Sequence, residues 1–155
     1  MTNTSAGLLL YRLRETGPQV FLVHPGGPFW RRRDEGAWSI PKGEHDHREE
    51  GLAAALREFC EETGLEAPDV EWVGLGTIRQ RGGKVVAAWA GACDLDAGSV
   101  RSNTFEMEWP PGSAKRATFP EVDRAEWFDL PAARRRINPG QLPFIERLAA
   151  LLAAE

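Results

Sequence analysis

The sequence lacks the features that mark disulfide-stabilised, membrane-spanning and secreted proteins. Two cysteines in 155 residues, Cys60 and Cys93, exclude a disulfide framework, and no CxxC pair is present for zinc or redox chemistry. No apolar run approaches the roughly 20 residues that a membrane span needs. The short run Leu8–Leu10 has no positive residue ahead of it, so we expect no secretory signal. These absences predict a soluble, cytoplasmic protein in which both thiols are small core residues.

An excess of positive charge is also lacking. The 19 Lys and Arg residues are outnumbered by 23 Asp and Glu residues, for a net charge of −4. This balance argues against stable binding of nucleic acid through bulk charge. Apolar residues make up 42% of the chain, and there are no repeats or low-complexity linkers. We therefore expect one globular domain over residues 1–155, which would need a metal or a few placed cations to handle phosphates.

Two kinds of periodicity alternate along the chain. The apolar runs at 6–13 and 19–24 predict a β-hairpin whose turn lies at 15–18. Spacings of four, three and four between Leu52, Leu56, Phe59 and Thr63 predict an amphipathic helix over 49–63, which Gly64 ends. Further strands are predicted at 72–79, 84–95, 104–109 and 126–128, and further helices at 130–137 and 142–154. Strands on both sides of a mid-chain helix predict an α+β fold, a helix–sheet–helix sandwich on a mixed sheet.

The mid-chain helix carries three carboxylates on one face. Glu58, Glu61 and Glu62 are spaced so that they project together, away from the apolar stripe. Carboxylates crowded in this way repel each other unless a cation neutralises them, and their hard oxygen atoms suit Mg²⁺ or Mn²⁺. Taken alone, an ExxEE sequence is more often a solvated acidic face.

A wider pattern surrounds these carboxylates. The spacing G-x5-E-x7-R-E-U-x-E-E-x-G-U, where U is a bulky apolar residue, is matched by Gly43, Glu49, Arg57, Glu58, Phe59, Glu61, Glu62, Gly64 and Leu65. This resembles the signature of the Nudix hydrolases, which cleave nucleoside diphosphates linked to another moiety. Phe59 stands where an aliphatic residue is more usual, and it keeps the packing role. The order of strands and helices fits the family's fold over nearly the whole chain.

The resemblance implies a role for each residue of the signature. Glu58 and Glu62 look like the principal metal ligands, with Glu61 as a further ligand and the Gly43 carbonyl as an additional oxygen. Arg57 and Glu49 look like an ion pair that orients the carboxylates. The reaction implied is attack of an activated water on phosphorus, with Mg²⁺ or Mn²⁺ as the cofactor.

Three features outside the signature resemble the branch of the family that cleaves diadenosine tetraphosphate. They are Lys42 in a Pro-Lys-Gly run, Lys84 at the start of a later strand, and Glu121 in a late loop. The resemblance implies that the two lysines bind substrate phosphates and that Glu121 is a further metal ligand or the general base. Glu106 and Glu108 compete for that last role, because they share one face of a predicted strand.

Several residues keep open roles. The run Arg31–Arg33 could meet polyphosphate or be solvated loop charge, and the role of His24 is open. Trp30, Trp38 and Trp109 border loops and could stack on a base, although partial burial at the sheet edge is favoured. The other three tryptophans fall in strand patterns that predict core positions: Trp72, Trp89 and Trp127.

The substrate is not fixed by the signature. The leading prediction is metal-dependent hydrolysis of a pyrophosphate bond in a dinucleoside polyphosphate or nucleoside triphosphate. Enzymes acting on ADP-ribose or diphosphoinositol polyphosphates share the same helix, so they stay open as alternatives. A non-catalytic nucleotide-sensing module is the alternative from another class. The oligomeric state is not predicted by any of these patterns.

Overall fold

The computed structural model describes residues 4–154, which form eight strands and three α-helices. The strands are β1 (Thr4–Arg14), β2 (Gly17–Pro25), β3 (Lys42–His45), β4 (Val73–Arg79), β5 (Val85–Ala92), β6 (Thr104–Glu108), β7 (Arg116–Pro120) and β8 (Val122–Asp129). The helices are α1 (Gly51–Thr63), α2 (Leu130–Arg136) and α3 (Leu142–Ala153). Single 3₁₀ turns cover Ala97–Ser99 and Pro139–Gln141. Within the described residues no helix is long and apolar enough to cross a bilayer.

Six strands form one mixed sheet in the order β4-β5-β1-β2-β8, with β3 paired to the first half of β1. β1 and β5 run parallel, whereas β2 and β3 both pair with β1 in the antiparallel direction. Because β2 returns along β1, its last residues lie at the same end of the sheet as β3. The first half of β1, the strand β3 and the last residues of β2 therefore lie at the same end of the sheet.

Each face of the sheet is covered by helices, as the alternation along β1 requires. Ala6, Leu8 and Leu10 point into one core with Phe59 of α1. Leu9 points into the other core, which contains Phe144, Ile145 and Leu148 of α3. This arrangement confirms the predicted helix–sheet–helix sandwich and the α+β class.

β6 and β7 form a separate two-stranded hairpin beside the main sheet. Phe105 lies opposite Phe119 in this hairpin, and the pair Thr104 and Pro120 closes its base. Asn103 precedes β6 and Glu121 follows β7, so these two residues lie side by side at the base of the hairpin. The base of the hairpin adjoins the main fold, and Trp109 near its tip contacts Phe29 of the loop after β2.

Helix α1 begins two residues after the predicted start at Glu49 and ends at Thr63 as predicted. Glu50 precedes it in an extended conformation, and Gly64 ends it with φ 73°, a left-handed conformation that glycine adopts at low cost. Gly51 meets the Trp89 ring so closely that an added Cβ would require the ring to move. The helix therefore approaches the sheet through small residues, and it buries Ala54, Ala55, Phe59 and Thr63.

Four predictions about local structure need correction. β3 and β7 were not predicted, since their short polar sequences become strands only through their partners. Trp38 is fully buried, because its indole N–H donates to Asp34 at 2.8 Å and its ring packs edge-on against Phe128. Cys60 is exposed on α1, while Cys93 is half-buried. The tryptophans predicted as core residues pack against the α1 core but are only half-buried: Trp72, Trp89 and Trp127.

Candidate active site

Strand β3 brings Gly43 against helix α1. The antiparallel pairing of β3 with β1 places Gly43 opposite Ala6, at the edge that faces α1. A Cβ added at Gly43 would overlap the carboxylate of Glu58. Only glycine lets the backbone and this carboxylate approach so closely. The first glycine of the signature and the first glutamate of its ExxEE run are therefore in contact.

Arg57 joins the signature carboxylates into one network. Its guanidinium donates to both oxygens of Glu49, at 2.8 and 2.7 Å, and to Glu58 at 2.9 Å and Glu61 at 3.1 Å. The hydrogen bonds from Arg57 lower the pKa of Glu49, and those to Glu49 and Glu58 raise the pKa of Arg57. The bidentate contact to Glu49 fixes the plane of the guanidinium, which positions the other two carboxylates.

Glu62 occupies the most desolvated position of the three carboxylates. Burial raises its pKa to about 8, and the negative charges of Glu121 and Glu58 add to this rise. The ammonium of Lys42 and a hydrogen bond from the Lys42 backbone N–H act in the opposite direction. Glu58 shows the same effect more weakly, since burial raises its pKa while the bond from Arg57 opposes the rise.

Two lysines lie beside the carboxylates. Burial lowers the pKa of Lys42, and its neighbour Lys84 adds to the effect, while Glu62 opposes it. Lys84 forms an ion pair with Glu44 at 3.0 Å. The structure therefore brings together the two lysines that the sequence predicts as phosphate ligands. Glu44, which the sequence analysis missed, sits next to them in the Pro-Lys-Gly-Glu run.

Glu121 is connected to the end of α1 by backbone hydrogen bonds. Its N–H donates to the Asn103 carbonyl at 2.8 Å, and the Asn103 N–H donates to the Glu61 carbonyl at 3.4 Å. The Glu121 carbonyl in turn accepts from Gly26 at 2.9 Å. This series, Glu61–Asn103–Glu121–Gly26, is termed the backbone relay below. It places an exposed carboxylate within electrostatic range of Glu62.

The competing acids lie on a different surface. Glu106 pairs with Arg116 across the β6–β7 hairpin at 3.5 Å, and Glu108 accepts a hydrogen bond from the Gly112 backbone N–H. Both are on the exposed face of that hairpin. The alternation along β6 was predicted correctly, but it directs these side chains away from the hairpin face that packs on the fold. Glu121 is thus the late acid that the structure brings to Glu62.

His24, whose role was open, is a buried link between β2, β8 and the arginine-containing loop. Its Nδ1 lies 2.8 Å from Asp123, and its Nε2 lies 2.6 Å from the Arg33 carbonyl. The ring also packs edge-on against Trp38 at 5.0 Å. The side chains of Arg31–Arg33 are exposed. His24 therefore holds the loop in place and leaves its cations free to meet solvent or a ligand.

The chemistry of this cluster fits a hard divalent cation. Its donors are all oxygen atoms, from Glu58, Glu61, Glu62, Glu121 and the Gly43 carbonyl. A cation would relieve the burial and repulsion that raise the pKa of Glu62. In residues 4–154 no three His, Cys, Asp or Glu side chains are already gathered around one point, and Arg57 donates to both Glu58 and Glu61.

Solved structures similar to this chain share its fold over nearly their whole length. A C. elegans Ap4A hydrolase in a binary complex is 20% identical, with a TM-score of 0.69 over 97% of this chain and 99% of that one. A mutT/nudix family protein from Listeria innocua is 17% identical, with a TM-score of 0.63 over 98% and 94%. The NUDIX domain of Shewanella oneidensis NrtR, complexed with ADP ribose, is 18% identical, with a TM-score of 0.63 over 98% and 89%.

The family is shown by a direct match of the sequence. The family model described as the NUDIX domain matches residues 1–148. This match covers every residue of the signature and both lysines, and it extends through the late acid Glu121. The prediction of a Nudix pyrophosphohydrolase is confirmed at the level of the family. The chain belongs to the NUDIX domain family.

Proposed function

We propose that the chain hydrolyses a pyrophosphate bond in a dinucleoside polyphosphate or nucleoside triphosphate, with Mg²⁺ or Mn²⁺ as its cofactor. The observation that carries this proposal is the half-buried Glu62, which lies within range of the charges of Lys42, Glu121 and Glu58, together with the contact of Glu58 with the Gly43 backbone. The acids favour a divalent cation, and the lysine favours the phosphates that such a cation accompanies.

Each residue of the cluster has a distinct role in the proposal. Glu58, Glu62 and the Gly43 carbonyl would hold the cation, with Glu61 and Glu121 as further ligands. When bound, such a cation promotes ionisation of water and neutralises negative charge on phosphate oxygens. Arg57 and Glu49 position the ligands through their bidentate contact. Glu121, an exposed acid within electrostatic range of Glu62, would also accept a proton from the attacking water.

The cations favour a substrate with several phosphates. Lys42 and Lys84 lie together beside the carboxylates, and Arg31–Arg33 extend the positive charge into the loop after β2. A chain of three or four phosphates offers more anionic oxygens for charge-assisted hydrogen bonds with such cations than a single phosphodiester does. The C. elegans Ap4A hydrolase, whose fold this chain shares, gives independent support for the dinucleoside polyphosphate class.

A nucleotide-sensing module is the second candidate. The NUDIX domain of NrtR, which was solved with ADP ribose, has a similar fold at a TM-score of 0.63. A binding module has no need of a desolvated carboxylate beside a lysine, because binding alone is served better by neutral or positive groups. The retained cluster of Glu58, Glu61 and Glu62 therefore favours the enzyme.

A substrate panel tests the proposed function. Purified protein is incubated with dinucleoside tetraphosphate, nucleoside triphosphates, ADP-ribose, NADH and a diphosphoinositol polyphosphate, in Mg²⁺, Mn²⁺ or excess chelator. We expect turnover of the polyphosphates only when metal is present, with products separated by anion-exchange chromatography. Full turnover in chelator would contradict the metal requirement. Binding of a nucleotide without turnover of any substrate would favour the sensing module.

A further inference from the structure

Two aromatic side chains stand exposed next to each other in the loop after β2. Across residues 4–154 the exposed large hydrophobic side chains are Leu13, Phe29 and Trp30, at 64%, 59% and 40% exposure. Leu13 lies near the tip of the β1–β2 hairpin. Phe29 and Trp30 are adjacent in sequence, and contiguous exposed apolar surface of this kind is a candidate ligand site.

The pair is part of a larger aromatic surface that includes the β6–β7 hairpin. The Phe29 ring meets Trp109 edge-on, with 5.6 Å between centroids and 86° between planes. The guanidinium of Arg33 lies 5.4 Å from the centre of the Trp30 ring. Phe29, Trp30, Arg33 and Trp109 are called the aromatic patch below. It combines flat apolar rings with positive charge.

The loop that carries the aromatic patch starts next to Glu121, the late acid of the candidate active site. Gly26 donates to the carbonyl of Glu121 at 2.9 Å, and an added Cβ at Gly26 would overlap the Pro120 carbonyl. Trp30 follows Gly26 by four residues, so its backbone lies no more than about 14 Å from that contact. A nucleotide with several phosphates can bridge a distance of this size.

The loop that carries the patch is fixed at several points. The Arg33 carbonyl meets buried His24 at 2.6 Å, and Asp34 pairs with Arg136 at 3.0 Å. Within the loop, the Trp30 N–H donates to Gly27 at 3.3 Å and the Arg33 N–H donates to Trp30 at 2.9 Å. Gly27 also packs on the Phe105 ring. The rings are thus held in position before a ligand arrives, which reduces the entropy cost of binding.

We propose that the aromatic patch binds a nucleobase of the substrate while the phosphates lie at the carboxylate cluster. This inference rests on the proposed function, and it adds a base-binding subsite to it. Every nucleobase has a π-face, so stacking on Phe29 or Trp30 recognises the base with little regard to its identity. The exposed arginines of the same loop attract the anionic part of the same ligand.

Nucleotide binding to matched variants tests the subsite. The probes are a methylene-bridged dinucleoside tetraphosphate, which resists cleavage, and inorganic tripolyphosphate, which has no base; both are titrated with Mg²⁺ by isothermal calorimetry. Phe29→Ala and Trp30→Ala should each raise the Kd of the dinucleoside probe about tenfold and that of tripolyphosphate less than twofold. Phe29→Tyr and Trp30→Phe should restore tight binding. Leu13→Ala, which removes the exposed side chain far from the patch, should change neither value.

Three outcomes would overturn the subsite. Equal losses for both probes mean that the substitutions disturb the loop rather than a base contact. Unchanged binding of both probes means that the base lies elsewhere. Self-association of the wild-type protein in sedimentation, abolished by Phe29→Ala with binding unchanged, assigns the patch to a second copy of the chain.

The proposed function is judged separately by turnover. A wild-type protein that binds the dinucleoside probe through the patch but hydrolyses nothing keeps the subsite and loses the enzyme. A protein that hydrolyses dinucleoside tetraphosphate with the same KM in Phe29→Ala and Trp30→Ala keeps the enzyme and loses the subsite.

Discussion

Helices α1 and α3 cover opposite faces of the same sheet, yet they use their side chains differently. α3 buries Phe144, Ile145 and Leu148, and its charges contact other elements: Arg147 donates to the Leu75 and Thr77 carbonyls at 2.9 Å each. α1 buries two alanines, a phenylalanine and a threonine, and its Arg57 contacts Glu58 and Glu61 of the same helix as well as Glu49 just before it. The comparison teaches that stability and chemistry are divided between the two helices, so substitutions on each should have different effects.

The largest expected effect is on stability, from α3. Phe144→Ala should lower the free energy of unfolding by about 3–5 kcal/mol, because a fully buried ring leaves a cavity between α3 and the sheet. Denaturant unfolding measures the loss, and kcat per folded molecule should stay near the wild-type value. Ile145→Val, which removes one methylene from the same helix, should cost only about 0.5–1.5 kcal/mol. A large fall in kcat for folded Phe144→Ala would break the division.

The next effect is on chemistry, from α1. Glu58→Gln and Glu62→Gln should each lower kcat at least a hundredfold, or about 2.7 kcal/mol of barrier, because an amide binds a hard cation poorly. Their melting temperatures in chelator should equal or exceed that of the wild type, since a repelling charge is removed. Steady-state kinetics and calorimetry measure the two quantities. Glu126→Gln, an exposed acid on β8, serves as the control that should change neither.

The third prediction concerns the contribution of Glu62 to the pH dependence of the free energy of unfolding. Its pKa is raised from 4.5 to about 8 in the folded protein without metal, so the native state binds this proton more tightly than the unfolded chain does. The stabilisation is complete below pH 4.5 and is lost as the pH rises through about 8. In chelator, we expect this loss to exceed about 2 kcal/mol and to shrink in Glu62→Gln. Parallel pH profiles for the two proteins would count against it.

The smallest effect tests whether the chemistry extends beyond α1. Glu121→Gln should lower kcat about tenfold, equivalent to ~1.4 kcal/mol, with the fold intact. Glu121 is linked to the candidate site by the backbone relay and by the effect of its charge on Glu62, and it lies outside the signature helix. Glu106→Gln and Glu108→Gln are the matched controls on the nearby hairpin. A loss in either control with none in Glu121→Gln would move the role to β6.

Local sequence patterns predicted the elements that depend on local forces. The hairpin of β1 and β2, helix α1 and its end at Gly64 follow from periodicity and from one glycine's freedom at positive φ. β3 and β7 could not be predicted in this way, because Lys42–His45 and Arg116–Pro120 lack an apolar run. Pairing with β1 and β6 supplies the hydrogen bonds that make them strands.

The candidate site likewise contains contacts that the sequence predicted and contacts that depend on residues distant in sequence. The resemblance implied the ion pair of Arg57 with Glu49, which the structure shows, while the direct contacts of Arg57 with Glu58 and Glu61 were not predicted. The closeness of Glu121 to Glu62 depends on Asn103 and Gly26, which no local pattern identifies. The full burial of Trp38 was not predicted, because it depends on two residues that no local pattern connects to it. Phe128 is distant in sequence, and Asp34 lies in a loop.

The backbone relay has a consequence for cooperativity. Its amides at Gly26, Asn103 and Glu121 belong to three separate loops, and each donates to a carbonyl of the preceding residue in the relay. Opening any one loop removes a partner from another, so these protons should exchange with solvent as one unit, at a rate distinct from that of the sheet. Local opening at Gly26 would then control how often the backbone opens at Glu121, which lies 95 positions further along the chain.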